Sequence, residues 1–166
     1  MKQNLFFLLL LVTINLNAQV VDVLTTGLTD PAGLAISGNT LYISESFGSN
    51  KISKIDISSA SPTKTDVVAG LSGPDGLAIS GNTLYIAETD ADKISKIDIT
   101  SATPTLTTVI SGVLEPTGIV VDGDYLYIAE YNAHKISKLN LTTLIKTDYI
   151  TNVSGPTGLV INNNTL

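Results

Sequence analysis

The sequence predicts an all-β chain built as blades of a β-propeller, four antiparallel strands to a blade. Three observations lead there. The first is a repeat. Gly33-Leu34-Ala35-Ile36-Ser37-Gly38-Asn39-Thr40-Leu41-Tyr42-Ile43 recurs unchanged as Gly76 through Ile86, and Lys51 through Ile57 recurs as Lys93 through Ile99. A third copy runs through Gly118-Ile119-Val120-Val121, Leu126-Tyr127-Ile128 and Lys135 through Leu139, and a fourth opens at Gly158. The leading glycines are 43, 42 and 40 residues apart, the spacing of one supersecondary unit copied along a chain. The second observation is strand chemistry. Each unit is rich in Ile, Val, Thr and Tyr and carries no helical periodicity. The third is the near-continuous apolar run Leu84-Tyr85-Ile86-Ala87, which suits a strand whose sheet is covered on both faces. Short four-stranded sheets, repeated and packed face to face, describe propeller blades. A parallel β-helix would need much shorter coils, and helical repeats are excluded by the strand chemistry.

Taken in order, residues 1–18 read as an export signal. Lys2 gives the positive start, Leu5 through Val12 the apolar stretch, and Ala18 the small residue at the cut, leaving Gln19 as the new N-terminus. Asn15 and Asn17 interrupt the run well short of the roughly 20 residues a membrane span needs. Residues 19–166 then form a partial propeller domain. Val20 through Thr25 resembles the later segment Thr65-Asp66-Val67-Val68-Ala69 and is expected to be a closing strand that completes the last blade of a ring. The blades are expected at about 33–69, 76–111, 118–151 and 158–166. Within the second, strand a is Gly76–Ser80, followed by a Gly81-Asn82 hairpin turn in which the Gly-Asn pair supplies the positive φ. Strand b is Thr83–Ala87, strand c Lys93–Ile99 and strand d Leu106–Ile110. The lysine pairs of strand c, such as Lys93 and Lys96, are expected on a solvated strand edge. Tyr42, Tyr85 and Tyr127 share one strand position and are expected in the core. Three full blades and the start of a fourth fall short of the four to eight a closed ring uses. The sequence thus reads as a fragment of a ring; a chain complete at Leu166 would have to form an oligomer to close one.

The chain has 166 residues, one domain's length, with 9 Lys+Arg against 15 Asp+Glu and a net charge of −6. All nine bases are lysines. That balance excludes a nucleic-acid binder, which needs a basic stripe. The absence of cysteine excludes a disulfide scaffold, a Cys-ligated zinc and a thiol nucleophile, and fits a bacterial exported protein, secreted or periplasmic, without a membrane span once the signal is removed. At 43% hydrophobic the chain is too apolar for disorder.

Pro116-Thr117-Gly118-Ile119-Val120-Val121-Asp122, then Leu126-Tyr127-Ile128-Ala129-Glu130, then His134-Lys135-Ile136, resembles the NHL repeat. The same layout occurs in gluconolactonase-like and YWTD-type propellers, mostly six-bladed, and the resemblance covers residues 25–166. It implies a six-bladed ring and leaves function open, since propellers host unrelated activities. This chain departs from the pattern by using Glu for Asp at the end of strand b and Lys for Arg at the start of strand c.

Ligands in this family usually sit on the face formed by the b–c and d–a loops. Here those loops offer Glu45, Phe47 and Asn50; Glu88, Asp90 and Asp92; Glu130, Tyr131 and His134; and, beside prolines, Asp30, Asp75 and Glu115. Glu45, Glu88 and Glu130 recur once per blade, so a carboxylate ring holding Ca²⁺ is one reading. The plainer and favoured one pairs each with Lys51, Lys93 or Lys135 across its own turn, as befits a residue copied into every blade. His134, the single imidazole, could act as a base with Glu130 beside it, but its match to the NHL histidine favours a turn-stabilising role. No Gly-x-Ser-x-Gly elbow, phosphate-binding loop or dinucleotide motif is present. The expectation is a non-enzymatic module binding a protein, peptide or glycan; the alternative, implied by the resemblance, is a metal-dependent lactonase or esterase.

Overall fold

A computed structural model of the chain describes residues 26–162 and 165–166. The export signal and the closing strand of residues 20–25 lie outside the described residues. Three four-stranded antiparallel sheets follow one another, each a simple meander. The first comprises β1 (Pro31–Ser37), β2 (Thr40–Glu45), β3 (Lys51–Asp56) and β4 (Thr65–Ala69). The second comprises β5 (Pro74–Ser80), β6 (Thr83–Glu88), β7 (Lys93–Asp98) and β8 (Thr107–Ser111). The third comprises β9 (Pro116–Asp122), β10 (Tyr125–Glu130), β11 (Lys135–Asn140) and β12 (Lys146–Thr151). These are the propeller blades the repeat predicts, and the three sheets do not close into a ring.

Local chemistry explains the hairpins. Ser37 pairs with Thr40 and Ser80 with Thr83, leaving two-residue turns. Gly38 and Gly81 both have φ 56°, while the asparagine after each is not left-handed. A positive φ at the first central position alone is the type II′ turn, whose twist matches the strands it joins. Each strand a also starts two residues earlier than its glycine suggests. The prolines Pro31, Pro74 and Pro116 open it, where no N–H is owed to a ladder, and a register shift separates them from the apolar run.

The core lies between blades rather than within one. Tyr42 and Ile52 of the first blade pack with Leu71, Leu77, Leu84, Ile86 and Ile97 of the second. Tyr85 and Ile94 of the second pack with Ile119, Leu126, Ile128 and Leu139 of the third. The three tyrosines are buried as expected, and burial raises the pKa of Tyr42 and Tyr85. Blades approach closely at glycine: a methyl group at Gly33, Gly76 or Gly118 would collide with the backbone carbonyl of Asp75, Thr117 or Thr157 on the next blade. Hydroxyls add cross-blade bonds, Ser44 Oγ to Asp75 O at 2.7 Å and Thr89 Oγ1 to Pro116 O at 2.8 Å.

Two expectations change. The outer edge of each sheet is strand d, so the strand c lysines do not decorate an edge. Lys96 is exposed, but Lys93 folds onto Glu88, 3.3 Å away. The fourth copy contributes no strand over 158–161, only a bridge between Asn162 and Thr165, because a strand a forms its ladder against a strand b. Its Thr157 carbonyl still accepts the Gly118 amide at 2.6 Å.

Candidate functional site

The b–c turns and the d–a junctions emerge together, and the structure shows how each is held. Asn50, Asp92 and His134 end the b–c turns in the left-handed region, at φ 47°, 50° and 54°. Their carbonyls accept the amides of Leu71, Val113 and Val153. Their side chains accept the amides of Gly73 at 3.2 Å, Glu115 at 2.8 Å and Gly155 at 3.1 Å. Three chemically different residues thus do one job, tying a turn to the junction that leads into the next blade. Asparagine, aspartate and histidine through its Nδ1 share only a short-reach acceptor, which is all the position demands. His134 has the turn-stabilising role that was favoured, and its supposed partner Glu130 is turned into the blade.

The three glutamates do not form a carboxylate ring. Each is fully buried and saturated from within its own blade or the junction beside it. Glu45 accepts from Ser53 Oγ, the Thr29 amide at 2.8 Å and Lys64 Nζ at 3.0 Å. Glu88 accepts from Ser95 Oγ and the Ser72 amide at 2.9 Å, and pairs with Lys93 at 3.3 Å. Glu130 accepts from Ser137 Oγ, the Leu114 amide at 3.1 Å and Lys146 Nζ at 2.9 Å. A carboxylate whose lone pairs are used in this way is a strut, and the Ca²⁺ reading of Glu45, Glu88 and Glu130 is corrected accordingly.

The expected lysine is the main partner only in the second blade; in the first, Lys51 stands 4.0 Å from Glu45, farther than Lys64. In the first and third, Lys51 and Lys135 turn to Asp66 and Asp148, at 3.1 and 2.7 Å, and the lysine at or just before the start of strand d, Lys64 or Lys146, makes the closest approach to the glutamate. The second blade has Leu106 and Thr108 at those positions, by the register of Ser95 opposite Thr108 and Ser53 opposite Asp66. With both substituted, Lys93 is free to reach Glu88. The two changes compensate each other and keep a cation on the buried carboxylate.

Although burial opposes ionisation of Glu45 and Glu130, their hydroxyl, amide and lysine donors outweigh it and hold both pKa values below the ordinary carboxylate value. A depressed folded pKa gives stability that is present above the unfolded value and lost as pH falls through the folded one. The fold is therefore expected to weaken below about pH 4.5 in a urea titration, and Glu130→Gln should flatten that acid limb.

A further departure from the copying falls in strand a. The residue between proline and glycine is Ala32, Thr117 and Thr157 in three repeats and Asp75 in the second. Asp75 is half-buried, and desolvation raises its pKa. It lines a cleft of about 360 Å³ between the first and second blades on the b–c loop face. Phe47 stands at the rim, 70% exposed, in a b–c loop one residue longer than its counterparts. Asp30 and Asp90 flank the opening, with Pro31 and Ala32 as walls. A groove of about 420 Å³ at the opposite end involves Asn82, Lys96 and Asp98, whose counterparts Asn39, Lys54 and Asp56 repeat in the first blade, so it is not particular to one place. The cleft is.

Of the residues singled out from sequence, the structure gathers Phe47, Asp75 and Asp90, together with Asp30. It does not bring in Glu45, Asn50, Glu88, Asp92, Glu115, Glu130 or His134, which hold loops or lie elsewhere. Tyr131 caps the third blade's junction, its ring 3.0 Å from where a Cβ on Gly155 would stand. Sequence reasoning missed the walls Pro31 and Ala32; comparing the Pro-x-Gly triplets would have marked Asp75 as the odd residue. Because its raised pKa penalises the charged form, Asp75 weakens the fold as pH rises through the range between the unfolded and folded values. Asp75→Asn is expected to raise the melting temperature at pH 7 and to leave it unchanged near pH 3. An equal effect at both pH values would contradict this.

Residues 116–134 match the model of the LVIVD repeat. No curated protein matches the sequence. Solved structures resemble the fold: a nidogen/laminin complex at TM-score 0.67 and 20% identity, covering 77% of this chain and 51% of that one. Hydrazine synthase of Kuenenia stuttgartiensis aligns at TM-score 0.64 and 25% identity, covering 83% of this chain and 40% of its own. Virginiamycin B lyase from Staphylococcus aureus aligns at 0.62 and 22%, covering 80% and 45%. These likenesses show the β-propeller fold, and the chain spans about half the length of these structures or less. Among the described residues no helix is long and apolar enough to cross a membrane.

Proposed function

We propose that the chain belongs to an exported propeller that acts as a non-enzymatic binding module, holding a protein or peptide on its b–c loop face. The observation that carries this is where the copies differ. Blades that repeat whole strands without change diverge on this face, at Phe47, Asp75, Asp90 and Tyr131, and three of those four residues line one cleft. A surface made from a scaffold's variable loops is where recognition is ordinarily placed. An exposed aromatic beside an apolar-walled cleft is the usual anchor for a partner. One fold neighbour was solved as a complex with laminin, in keeping with protein binding on this architecture. The reading as a metal-dependent lactonase or esterase has no comparable support, since the glutamates it would draw on already serve as struts. The export reading rests on the sequence of residues 1–18.

The test is to pan a phage-displayed library of random dodecapeptides against the immobilised chain. Binders should emerge that compete with one another, lose binding to Phe47→Ala, and keep it to Asn82→Ala at the opposite end. Binders indifferent to Phe47→Ala, or none at all, would count against the loop face.

A further inference from the structure

We propose that the cleft between the first two blades seats a basic side chain, a lysine or arginine of an extended peptide. This rests on the loop-face reading and names its ligand.

The argument starts from hydrogen-bond accounting. Every fully buried carboxylate in the described blades is met by a hydroxyl, an amide and a lysine. Asp75 departs from this: half-buried, it receives no donor on its carboxylate from any described residue. Its oxygens are not sealed from solvent, so a donor arriving from outside can take the place of water on a carboxylate that is already partly desolvated. Asp75 also lies at the one place in the repeat where its counterparts are Ala32, Thr117 and Thr157, so the blade does not need an acid there.

The surroundings specify the donor. The lining is more apolar than polar, and the Phe47 ring stands exposed at the rim. Lysine and arginine match this combination, with an aliphatic stem to lie along Phe47 and Pro31 and a cationic head for Asp75. Asp30 and Asp90 share the lining, and no lysine or histidine does, so the field is complementary to a cation and hostile to an anion. An ammonium or guanidinium near the Phe47 ring adds cation–π attraction. Among the described residues no three acidic side chains converge as metal ligands, so the geometry favours an organic cation over a metal ion. A volume of about 360 Å³ suits one side chain and the backbone that carries it.

The probes are fluorescein-labelled Ala-Leu-Lys-Leu-Ala, its arginine form, and forms with norleucine or glutamate at the centre, read by fluorescence anisotropy. The lysine and arginine peptides should bind about tenfold tighter than norleucine, the loss of one charge-assisted bond, and glutamate should bind worst. Asp75→Asn, which removes a disfavoured charge and should fold, is expected to abolish the preference for lysine over norleucine. Phe47→Ala should weaken both peptides together. Equal binding of lysine and norleucine, or a preference that survives Asp75→Asn, overturns the inference. If dodecapeptides from the panning nonetheless bind through Phe47, the loop-face reading stands without it.

Discussion

Gly76→Ala is expected to destabilise the fold by about 3 kcal/mol, and Gly158→Ala, the same change in the same motif, by less than about 0.5 kcal/mol. Glycine at this position is not there for an unusual φ; neither Gly76 nor Gly158 is left-handed. It is there because the next blade's backbone passes over it. A methyl on Gly76 would run into the Thr117 carbonyl and crowd the Ile119 amide, both backbone, so no rotamer change can relieve the clash. The blades would have to separate, and the core between them, Tyr85 and Ile94 against Ile119 and Leu126, would loosen with them. At Gly158 nothing lies within 4 Å of the added carbon. Urea denaturation of the two variants beside the parent chain decides the matter. Comparable losses at both positions would show that interblade contact does not set the need for glycine.

The second large effect separates lysines that look alike in sequence. Lys146→Met should cost about 3 kcal/mol, because it leaves the fully buried Glu130 carboxylate without its cation. Lys135→Met should cost less than about 1 kcal/mol, since its partner Asp148 is largely in water. In the second blade the order is reversed. Lys93, the counterpart of Lys135, holds the buried Glu88, so Lys93→Met should resemble Lys146→Met. Restoring the first blade's pattern there, with Leu106→Lys and Thr108→Asp together, should relieve the cost of Lys93→Met. Denaturant midpoints for the three single variants and the combination test the whole exchange. A costly Lys135→Met would sink it.

These two cases mark how far the sequence reached. The blade repeat, the strands, the glycine turns and the buried tyrosines follow from local pattern: strand-forming residue types, Gly-Asn at the hairpins and an unbroken apolar strand b. Such features are set by residues within a few positions of each other, so a single chain displays them. The recurrence of glutamate at the end of strand b is equally visible, and it is structural as expected, but its nearest lysine differs from the expected one in two blades of three. The choice between a strand c lysine and one at or just before the start of strand d depends on register across the sheet and on whether Asp66, Thr108 or Asp148 competes. His134, Asp92 and Asn50 share no side-chain type, so only the superposed turns reveal one common task. The cleft is the most dependent on tertiary structure. Phe47 and Asp75 belong to different blades, 28 positions apart in sequence. What brings them to one opening is the stacking of Gly33 on the Asp75 carbonyl. The sequence by itself determined how each blade is built; the packing of one blade on the next decided which side chains face each other, because that contact is made between segments whose local patterns carry no record of it.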